Sequence, residues 1–336
     1  MSSEILAPGA SQGEVVDVAI VAYRNWEFTR SCLEHLRRQT VEHRIVVCDN
    51  GCDQGTANLL AEHYPEVAVL RMPRNGPYAL ACNAAVAAGR SELVVMMNND
   101  VDARPDFLER LTAPFASRPR LGSVAPLLLA PGEQRIDSAG LAADRTLSAF
   151  PRLKGRPPAE AQGRAPILTG PDGAAAAFRR KAWQEAGGLD ERIVGYMDDF
   201  DLGLRLRAAG WDTTLASDAL AVHIGSATYG HRSSEQRRKA GFGRAYMLRR
   251  YGVLRSRVAP RTLATEAIVV GGDFLLAGDL AALTGRLAGW RAADRHAAVR
   301  PPAEAIDGNI GFRDSMRLRR NTYMRPKTAL PAISGA

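Results

Sequence analysis

The stretch VDVAIVAYRNWEFTRSCLEHLRRQ, residues 16–39, decides the fold. Its first eight residues form an apolar run with one charged residue, Asp17, and are rich in β-branched side chains, which is typical of a buried strand. In the remainder, Phe28, Cys32 and Leu36 recur at helical spacing, which predicts an amphipathic helix. A buried strand followed by a helix is the repeating unit of a parallel α/β sheet.

The same unit recurs as far as about Phe115. Three more apolar strand candidates follow, each next to a helical segment: RIVVCDNG, VAVLRM and ELVVMMNND as strands, with TANLLAEHY, PYALACNAAVAAG and PDFLERLTAPFAS as helices. Because each strand is apolar throughout, the sheet is expected to be covered on both faces. We therefore predict an α/β fold with a mostly parallel sheet flanked by helices.

The pattern becomes less regular after this point. Residues 119–166 are rich in Pro, Gly and Arg, which predicts an extended or inserted region. A strand-like segment over 167–180, a strong helix over 198–210 and one or two late strands over 213–224 follow.

These patterns predict a main domain and a smaller helical region. The main domain is expected over 15–232 and a helical C-terminal region over 233–300. The tails, residues 1–14 and 301–336, are expected to be loosely ordered.

The charge balance is basic. The 336 residues include 44 Lys and Arg against 36 Asp and Glu, for a formal net charge of +8. This favours anionic partners such as nucleotides, phosphorylated lipids, anionic membrane surfaces or nucleic acid, without choosing among them. The basic residues are spread along the chain and form no recognition motif, so nucleic acid is not an expected partner.

The sequence also indicates the cellular compartment of the protein. The four cysteines lack paired metal-ligand spacing, which indicates small core residues in a reducing environment: Cys32, Cys48, Cys52 and Cys82. The first residues carry no signal-peptide pattern. The apolar segment over 267–283 is interrupted by Asp273 and Asp279 and is too short to span a bilayer comfortably. We therefore expect a cytoplasmic protein.

Polar residues follow each of the first four strands. The residues at these strand ends are Ala22 and Tyr23, Asp49 to Gly51, Arg74 to Gly76, and Asn98 to Asp100 with Asp102. Any single Asp or Asn among them is explained by the preference of these residues for turns. In a parallel α/β sheet, however, ligands bind beyond the carboxyl ends of the strands, so together they predict a polar site.

The chain lacks the glycine-rich loops that cradle phosphates. Neither GxGxxG after the first strand nor GxxxxGK[ST] occurs, which argues against dinucleotide dehydrogenases and P-loop enzymes. A diphosphate would then need a divalent cation, and Asp100 and Asp102 are the carboxylates expected to bind it.

The helix over 198–210 contains the candidate base. Asp199 lies on the same helical face as three apolar residues, Leu202, Leu206 and Ala209. Asp201 faces the other way, four residues before Arg205, which predicts a surface ion pair. Asp199 lacks such an explanation, and the helix dipole would help to keep it ionised. It is either a general base or a helix cap.

His223 ends an apolar run. A lone histidine in this context is more often structural than a ligand. The alternative is that its imidazole completes a coordination sphere begun by Asp100 and Asp102.

Five ordered segments resemble family 2 glycosyltransferases, inverting enzymes of GT-A fold, and within them a bacterial rhamnosyltransferase-like branch. The segments are VAIVAYRNWEFTRSCLEHLRRQT, VVCDNGCDQGT, RNGPYALACNAAV, ELVVMMNNDVDARPDFL, and FRRKAWQEAGGLDERIVGYMDDFDLGLRLRAAGW followed by VHIGS. The resemblance extends over about 16–226. It implies the GT-A form of the α/β fold.

The resemblance implies roles for individual residues on the donor side. Ala22 and Tyr23 would flank the nucleoside, Asp49 would contact the base, and Asn75 lies in the loop that closes over the nucleotide. Asn98, Asn99 and Asp100 take the place of the family's DXD metal motif. Since Asn98 stands at its first position, Asp100 must provide most of the metal binding. Pro77 and Tyr78 depart from the small residues common in the donor loop.

On the acceptor side, the resemblance implies that Asp199 is the catalytic base. Asp198 stands where Glu is commoner and, with Tyr196, is expected to face the acceptor. His223 matches a histidine that often ligates the metal.

The implied reaction is a single displacement that moves a sugar from a nucleoside-diphosphate donor to an acceptor hydroxyl, with Mn²⁺ or Mg²⁺. The branch suggests dTDP-rhamnose as donor and a lipid-linked or polysaccharide acceptor. The alternatives are a nucleotidyltransferase that makes NDP-sugars and a non-catalytic nucleotide-binding relative. The basic helical region is either a platform for a lipid-linked acceptor at the inner membrane face, a solvated face or a homodimer contact.

Overall fold

A computed structural model describes residues 5–6, 16–51, 55–163, 165–225, 233–293 and 300–323. Its first half alternates strands and helices: β1 (Ile5–Leu6), β2 (Val16–Ala22), α1 (Trp26–Leu36), β3 (His43–Asp49), α2 (Thr56–His63), β4 (Ala68–Arg71), α3 (Tyr78–Ala88), β5 (Leu93–Asn98), β6 (Val101–Ala103) and α4 (Phe107–Thr112). The strand and helix candidates up to Phe115 are therefore confirmed.

The second half begins with strands and ends with helices. Its elements are β7 (Leu121–Leu129), β8 (Ile136–Ser138), β9 (Leu141–Ala143), β10 (Ala149–Pro151), β11 (Ala175–Arg179), α5 (Arg180–Ala186), α6 (Asp198–Ala208), β12 (Asp212–His223), α7 (Ser234–Arg250), α8 (Ala259–Ala277), α9 (Ala281–Ala292) and α10 (Phe312–Tyr323).

Nine of these strands form one mixed sheet in the order β1-β4-β3-β2-β5-β11-β7-β12-β6, and β8 pairs with β7. Strands β4, β3, β2 and β5 are mutually parallel, as are β7 and β12. Strand β11 runs antiparallel to both of its neighbours, and β6 runs antiparallel to β12. The predicted α/β fold is confirmed, although the sheet is mixed rather than mostly parallel, with four parallel and five antiparallel strand pairings.

Alternate residues of β2 explain why the sheet is covered on both faces. Val18 and Ile20 pack into one core with the apolar sides of α1 and α4. Ala19 and Val21 pack into a second core with α3, α5 and α6. Because successive side chains of a strand point to opposite faces, an apolar run of this kind supports two layers of helices.

The prediction of an extended or inserted region over 119–166 is wrong for its first part. Leu121–Leu129 forms β7, buried along its whole length between β11 and β12. Pro126 obscured this strand, since proline cannot donate to a sheet ladder. It is accommodated because its partner Ala216 lies directly before a register shift in β12. β-Bulges are a place where proline is tolerated in sheets.

The C-terminal helices pack against the sheet domain. Tyr246 and Met247 of α7 share an apolar core with Phe200 and Leu204 of α6. Helix α9 lies against α7 so closely that a Cβ at Gly285 or Gly289 would overlap α7 backbone carbonyls. Helix α7 therefore connects α6 to the last helices.

The expectation for the tails is corrected in part. Residues 312–323 form the helix α10 instead of a loose segment. Ile5–Leu6 pairs with β4, although most of 1–14 and all of 324–336 lie outside the described residues. Among the helices that the structure describes, none combines the length and apolar character needed to cross a bilayer.

Candidate active site at the carboxyl ends of the strands

The end of β3 is tied to the loop that precedes α3. The Asn50 side chain donates to the Gly76 carbonyl at 3.1 Å and accepts from the Gly76 N–H at 3.0 Å. Gly51 has a φ of +74°, and a Cβ there would overlap the backbone nitrogen of Asn75. Only glycine permits this approach, so the predicted donor loop is fixed beside Asp49.

The residues predicted to flank the nucleoside lie next to this loop. Ala22 and Asp49 are register partners across β2 and β3, and both are buried. The Ala22 carbonyl accepts from the Asn50 N–H at 2.9 Å. Tyr23 follows directly and is half-buried, with the Arg24 guanidinium 4.9 Å from its ring centroid. Ala22, Tyr23 and Asp49 therefore share one corner of the sheet edge.

The residues after β5 point in different directions. Asn98 Oδ1 accepts from the Tyr78 hydroxyl at 2.9 Å, and Asn99 Nδ2 donates to Thr29 Oγ1 at 2.9 Å. Because Tyr78 opens α3, its hydrogen bond links the donor loop to the NND segment.

Asp102 contacts helix α1. Its Oδ1 accepts from Ser31 Oγ at 2.9 Å and lies 3.4 Å from His35 Nδ1. The Asp100 carboxylate is held elsewhere, because its Oδ2 accepts from the Gly225 N–H at 3.1 Å. A metal-binding role for Asp102 stays a prediction, and these contacts direct its carboxylate toward α1.

Asp100 and His223 form a small polar centre together with Asp137. His223 Nε2 lies 3.6 Å from Asp100 Oδ1, and His223 Nδ1 is 2.7 Å from Asp137 Oδ2. Asp137 is buried and also pairs with Lys154 Nζ at 2.6 Å. A hydrogen on Nδ1 donated to Asp137 would direct the Nε2 lone pair toward Asp100.

The residues of this centre fit a divalent cation in part. A metal-ligating histidine usually donates its other ring N–H to a carboxylate, which is the arrangement of His223 and Asp137. Asp100 adds a carboxylate oxygen, a ligand for Mn²⁺ or Mg²⁺. Within the described ranges, no three His, Cys, Asp or Glu side chains converge as a complete metal site. Asp100 and His223 could therefore supply only part of the ligands that a divalent cation needs.

The first turn of α6 brings Asp199 to the same edge. Asp199 Oδ2 accepts from the Gly173 N–H at 2.8 Å, and its Oδ1 accepts from the Phe200 N–H at 2.7 Å. The next residue, Ala174, accepts from the Asn98 N–H at 2.8 Å through its carbonyl. Only the Gly173–Ala174 backbone therefore separates the predicted base from the NND segment.

Three carboxyl groups crowd this turn. Burial raises the pKa of Asp199 to about 8, and the carboxyls of Asp198 and Asp172 add to the rise. Burial likewise raises the pKa of Asp198 to about 6. Hydrogen bonds from Gly173 and Phe200 oppose the rise at Asp199 without cancelling it. In the free protein, the expected ionised state of Asp199 is therefore disfavoured near neutral pH.

The prediction of a surface ion pair at Asp201 is correct in the pairing but wrong in the exposure. Asp201 pairs with Arg205 at 2.7 Å as predicted, but its side chain is fully buried. It also lies 3.1 Å from Arg250 Nε and accepts from the Tyr251 hydroxyl at 2.8 Å. The sequence spacing identified the pair, whereas the burial comes from α7, which covers this side of α6. Ala209, expected on the buried face, is exposed.

The backbone before α6 is strained. Tyr196 and Met197 have φ values of +60° and +76°, which non-glycine residues rarely adopt. Helix α7 approaches so closely that a Cβ at Gly243 would overlap the Tyr196 carbonyl. Tyr196 is itself exposed, beside the turn that carries Asp198 and Asp199. Such strain is typical of segments that position functional side chains.

A family model described as glycosyltransferase-like family 2 matches residues 13–242, more than half of the chain. The chain belongs to this family. The resemblance of the five ordered segments is therefore confirmed, while the roles of individual residues stay predictions.

Two relatives of this family 2 glycosyltransferase carry functional names. An N-acetylglucosaminyl-diphospho-decaprenol L-rhamnosyltransferase of Mycobacterium tuberculosis is 29% identical over 201 residues, covering 53% of this chain and 66% of the relative. The O-antigen biosynthesis protein RfbC of Myxococcus xanthus is 26% identical over 213 residues, covering 60% of this chain and 16% of the relative. The chain thus spans slightly under two thirds of the mycobacterial protein.

A solved structure shares the fold. The crystal structure of GalNAc-T7 with UDP, GalNAc and Mn²⁺ has a TM-score of 0.55 and 14% identity, covering 74% of this chain and 51% of the other. This similarity of fold confirms the expected GT-A form.

Several site residues of this family 2 glycosyltransferase were missed by sequence reasoning. Asn50 was predicted only as a residue at a strand end and Tyr78 only as a departure from the donor loop, and no role was predicted for Asp137, Lys154 or Asp172. Asp137 and Lys154 lie in the region interpreted as an insertion, so no strand position pointed to them. Asp172 stands in the segment GPDG before a strand, where its carboxylate accepts from the Ala174 N–H at 3.0 Å. That turn motif was the available signal.

Proposed function

We propose that the protein transfers a sugar from a nucleoside-diphosphate donor to an acceptor hydroxyl in one displacement, with inversion at the anomeric carbon. The observation that carries this proposal is the short connection between Asp199 and the NND segment through Gly173 and Ala174. It brings a candidate proton acceptor and the candidate diphosphate site to one edge of the sheet.

In this mechanism Asp199 accepts the proton of the acceptor hydroxyl as the oxygen attacks the anomeric carbon. Its carboxylate is oriented by two backbone N–H groups, from Gly173 and Phe200. A general base is most effective when its pKa lies near the operating pH, which a value of about 8 satisfies. Asp198 and the exposed Tyr196 lie beside it, on the side expected to receive the acceptor.

The donor is expected to bind across the β2, β3 and β5 ends. Tyr23 and Asp49 would contact the nucleoside, while the Asn75 loop is held in place by Asn50. Asp100 and His223 would hold a divalent cation, with His223 oriented by Asp137. When bound, such a cation supplies positive charge that stabilises the leaving diphosphate.

The mycobacterial relative suggests the substrate classes. Its name describes a rhamnosyltransferase whose acceptor is a diphospho-decaprenol lipid. We therefore propose dTDP-rhamnose as the first donor to test and a polyprenyl-diphosphate sugar as the first acceptor. The GalNAc-T7 structure contains Mn²⁺, so Mn²⁺ is the first cation to test.

The test is a panel of NDP-sugars incubated with Mn²⁺ and with a polyprenyl-diphosphate sugar. The proposal expects NDP release and a glycosylated acceptor, without pyrophosphate, and loss of both with Asp199→Asn. Release of pyrophosphate from a sugar phosphate and NTP would instead indicate a nucleotidyltransferase. Binding of NDP-sugar without turnover, unaffected by Asp199→Asn, would indicate a non-catalytic relative.

A further inference from the structure

Helix α8 presents an apolar face to solvent. Four of its large side chains are widely exposed: Leu263 (57%), Ile268 (50%), Phe274 (49%) and Leu275 (82%). At 100° per residue these four fall within one 140° sector, together with Pro260, Ala264, Ala267 and Gly271. No charged residue lies in this sector of the helix.

The polar side of α8 faces inward. Thr262 and Thr265 are fully buried, and both hydroxyls donate to backbone carbonyls of the helix. Glu266 pairs with Arg244 at 2.7 Å and with Arg286 at 2.8 Å, which ties α8 to α7 and α9. This arrangement is the reverse of an ordinary surface helix, whose apolar stripe faces the core.

Helix α9, which follows α8 after a short turn, also exposes apolar side chains. Leu280, Leu283, Leu287 and Trp290 are between 37% and 52% exposed and recur at helical spacing. The two helices are joined by a short turn at Gly278–Leu280, and Leu276, in the last turn of α8, is also exposed (61%). Monomeric proteins rarely expose an apolar patch of this extent, which usually marks an interaction surface.

The charges around this surface indicate its partner. Arg255 and Arg257 are exposed just before α8, and Arg291 is exposed at the end of α9. Of the acidic residues of α8 and the turn, Glu266 and Asp279 are paired with arginines, and Asp273 lies outside the apolar sector of α8. An apolar surface with a basic border suits an anionic lipid bilayer. A second copy of the chain carries the same basic border and would therefore offer these arginines no acidic counterpart.

The turn between α8 and α9 lies against the N-terminal end of α7, which is the end near the candidate active site. Asp279 in the turn accepts from Ser234 Oγ at 2.7 Å and pairs with Arg237, both in the first turns of α7. In the next turn of α7, the Lys239 side chain packs against Gly195, which precedes the acceptor-side Tyr196. The first two turns of α7 therefore connect the turn between α8 and α9 to the segment that contains Tyr196.

We infer that the α8–α9 surface docks the protein on an anionic phospholipid bilayer, with the α8–α9 turn inserted into the interface and the Tyr196 segment close to the membrane. Resting on the proposed function, this orientation would deliver the sugar of a lipid-linked acceptor to Asp199, while its polyprenyl chain stays in the bilayer.

The test is flotation of the full chain with vesicles of phosphatidylcholine, with or without phosphatidylglycerol. Binding is expected on the vesicles that contain phosphatidylglycerol. Leu275→Ser and Ile268→Ser should each weaken it about tenfold, because each removes a large apolar side chain from the interface. Ile167→Ser, at an apolar side chain exposed elsewhere (38%), is the matched control and should bind as the unmodified chain does.

Arg255→Gln and Arg257→Gln test the basic border. Each is expected to weaken binding to phosphatidylglycerol vesicles about fivefold and to lose this effect in high salt. Unchanged melting temperatures would show that the variants fold.

Two results would overturn the inference. One is absence of vesicle binding by the unmodified chain. The other is a dimer, detected by light scattering, that Leu275→Ser converts to a monomer while vesicle binding persists. NDP release with a soluble acceptor should be unchanged in Leu275→Ser, so loss of docking and failure of the proposed function give different results.

Discussion

Two carboxylates on one helix, Asp199 and Asp201, have opposite surroundings. Asp201 is completely buried, but Arg205, Arg250 and Tyr251 all contact it. Asp199 is less buried, yet its neighbours include two more carboxyls, and within the described chain no cationic side chain forms an ion pair with it. In the middle of α6 the buried negative charge is therefore compensated by arginines, whereas in its first turn it is not.

This difference connects Asp201 with the stability of the fold and Asp199 with function. A compensated buried carboxylate makes its cationic partner essential to the fold. An uncompensated carboxyl with a raised pKa costs stability at neutral pH, which is typical of groups kept for proton transfer or ligand binding.

The largest expected effect is on catalysis, from Asp199→Asn. Removing a general base should lower kcat about 10³-fold, within the range for acid–base catalysis. The melting temperature should not fall at neutral pH, since the buried Asp199 carboxyl must take up a proton on folding and the amide of the variant need not. Initial rates of NDP release and a thermal melt at pH 7 would check this. Loss of stability together with activity would contradict the separation.

The pH dependence of stability sharpens this prediction. The pKa of Asp199 is about 8 in the folded chain, against about 4 in an unfolded one. A raised pKa contributes stability that is fully present below pH 4 and is lost as the pH rises to 8. The unmodified protein should therefore lose more stability than Asp199→Asn between these values. Parallel melting curves for the two proteins across this range would contradict the assignment.

The second effect is on stability, from Arg250→Met. The change leaves Asp190 and Asp201 short of a buried cation, so unfolding free energy should fall by about 3 kcal/mol. Arg192→Met is the matched control, because Arg192 also pairs with Asp190 but is half exposed, and its loss should cost less than about 1 kcal/mol. Urea titrations measure both. Equal effects of the two variants would show that burial does not decide the outcome.

The third effect concerns Asp137, a carboxylate that is both compensated and near the site. Asp137→Ala should weaken Mn²⁺ binding about 10- to 100-fold, because His223 loses its orienting partner. Asp137→Asn should recover part of the affinity, since its carbonyl oxygen can still accept from Nδ1–H. Mn²⁺ titration by electron paramagnetic resonance, with nucleoside diphosphate present, gives the affinities. Asp102→Ala, at a carboxylate turned toward α1, should change them less, and a larger loss there would relocate the metal site.

The smallest effect is expected from Tyr78→Phe. It removes the hydroxyl that bonds to Asn98 and should raise KM for the donor about three- to tenfold, the value of one hydrogen bond. The value of kcat should change less, because Tyr78 contacts the donor side. Steady-state kinetics separates the two constants, and a fall confined to kcat would assign Tyr78 to the proton-transfer side.

The sequence predicted most of the fold because the strands near the N-terminus are long apolar runs between helices. It missed β7, since Pro126 disguised the strand and the register shift in β12 that accommodates it is a property of the assembled sheet. Spacing also identified the Asp201–Arg205 pair, but its burial depends on α7, more than 30 residues away.

The candidate site was predicted as far as strand ends and motifs allow. Strand ends place Asp49 and Asp100 at one edge because parallel strands share an edge, whereas Asp199 was assigned to the site from its helix and from the family motif. Asp137 was beyond such reasoning, as it reaches His223 from a short strand, β8, with no recognisable pattern. The raised pKa of Asp199 was not predicted, because burial, together with the carboxyls of Asp198 and Asp172, outweighs the helix dipole that was expected to keep Asp199 ionised.

The most direct test of the central claim is a crystal structure with Mn²⁺ and the NDP-sugar that the panel identifies, with the manganese located by its anomalous scattering. The claim expects the manganese between Asp100 and His223 Nε2, diphosphate oxygens bound to it, and the anomeric carbon facing Asp199. A manganese ion bound instead by Asp102 and His35, or a sugar remote from Asp199, would contradict it.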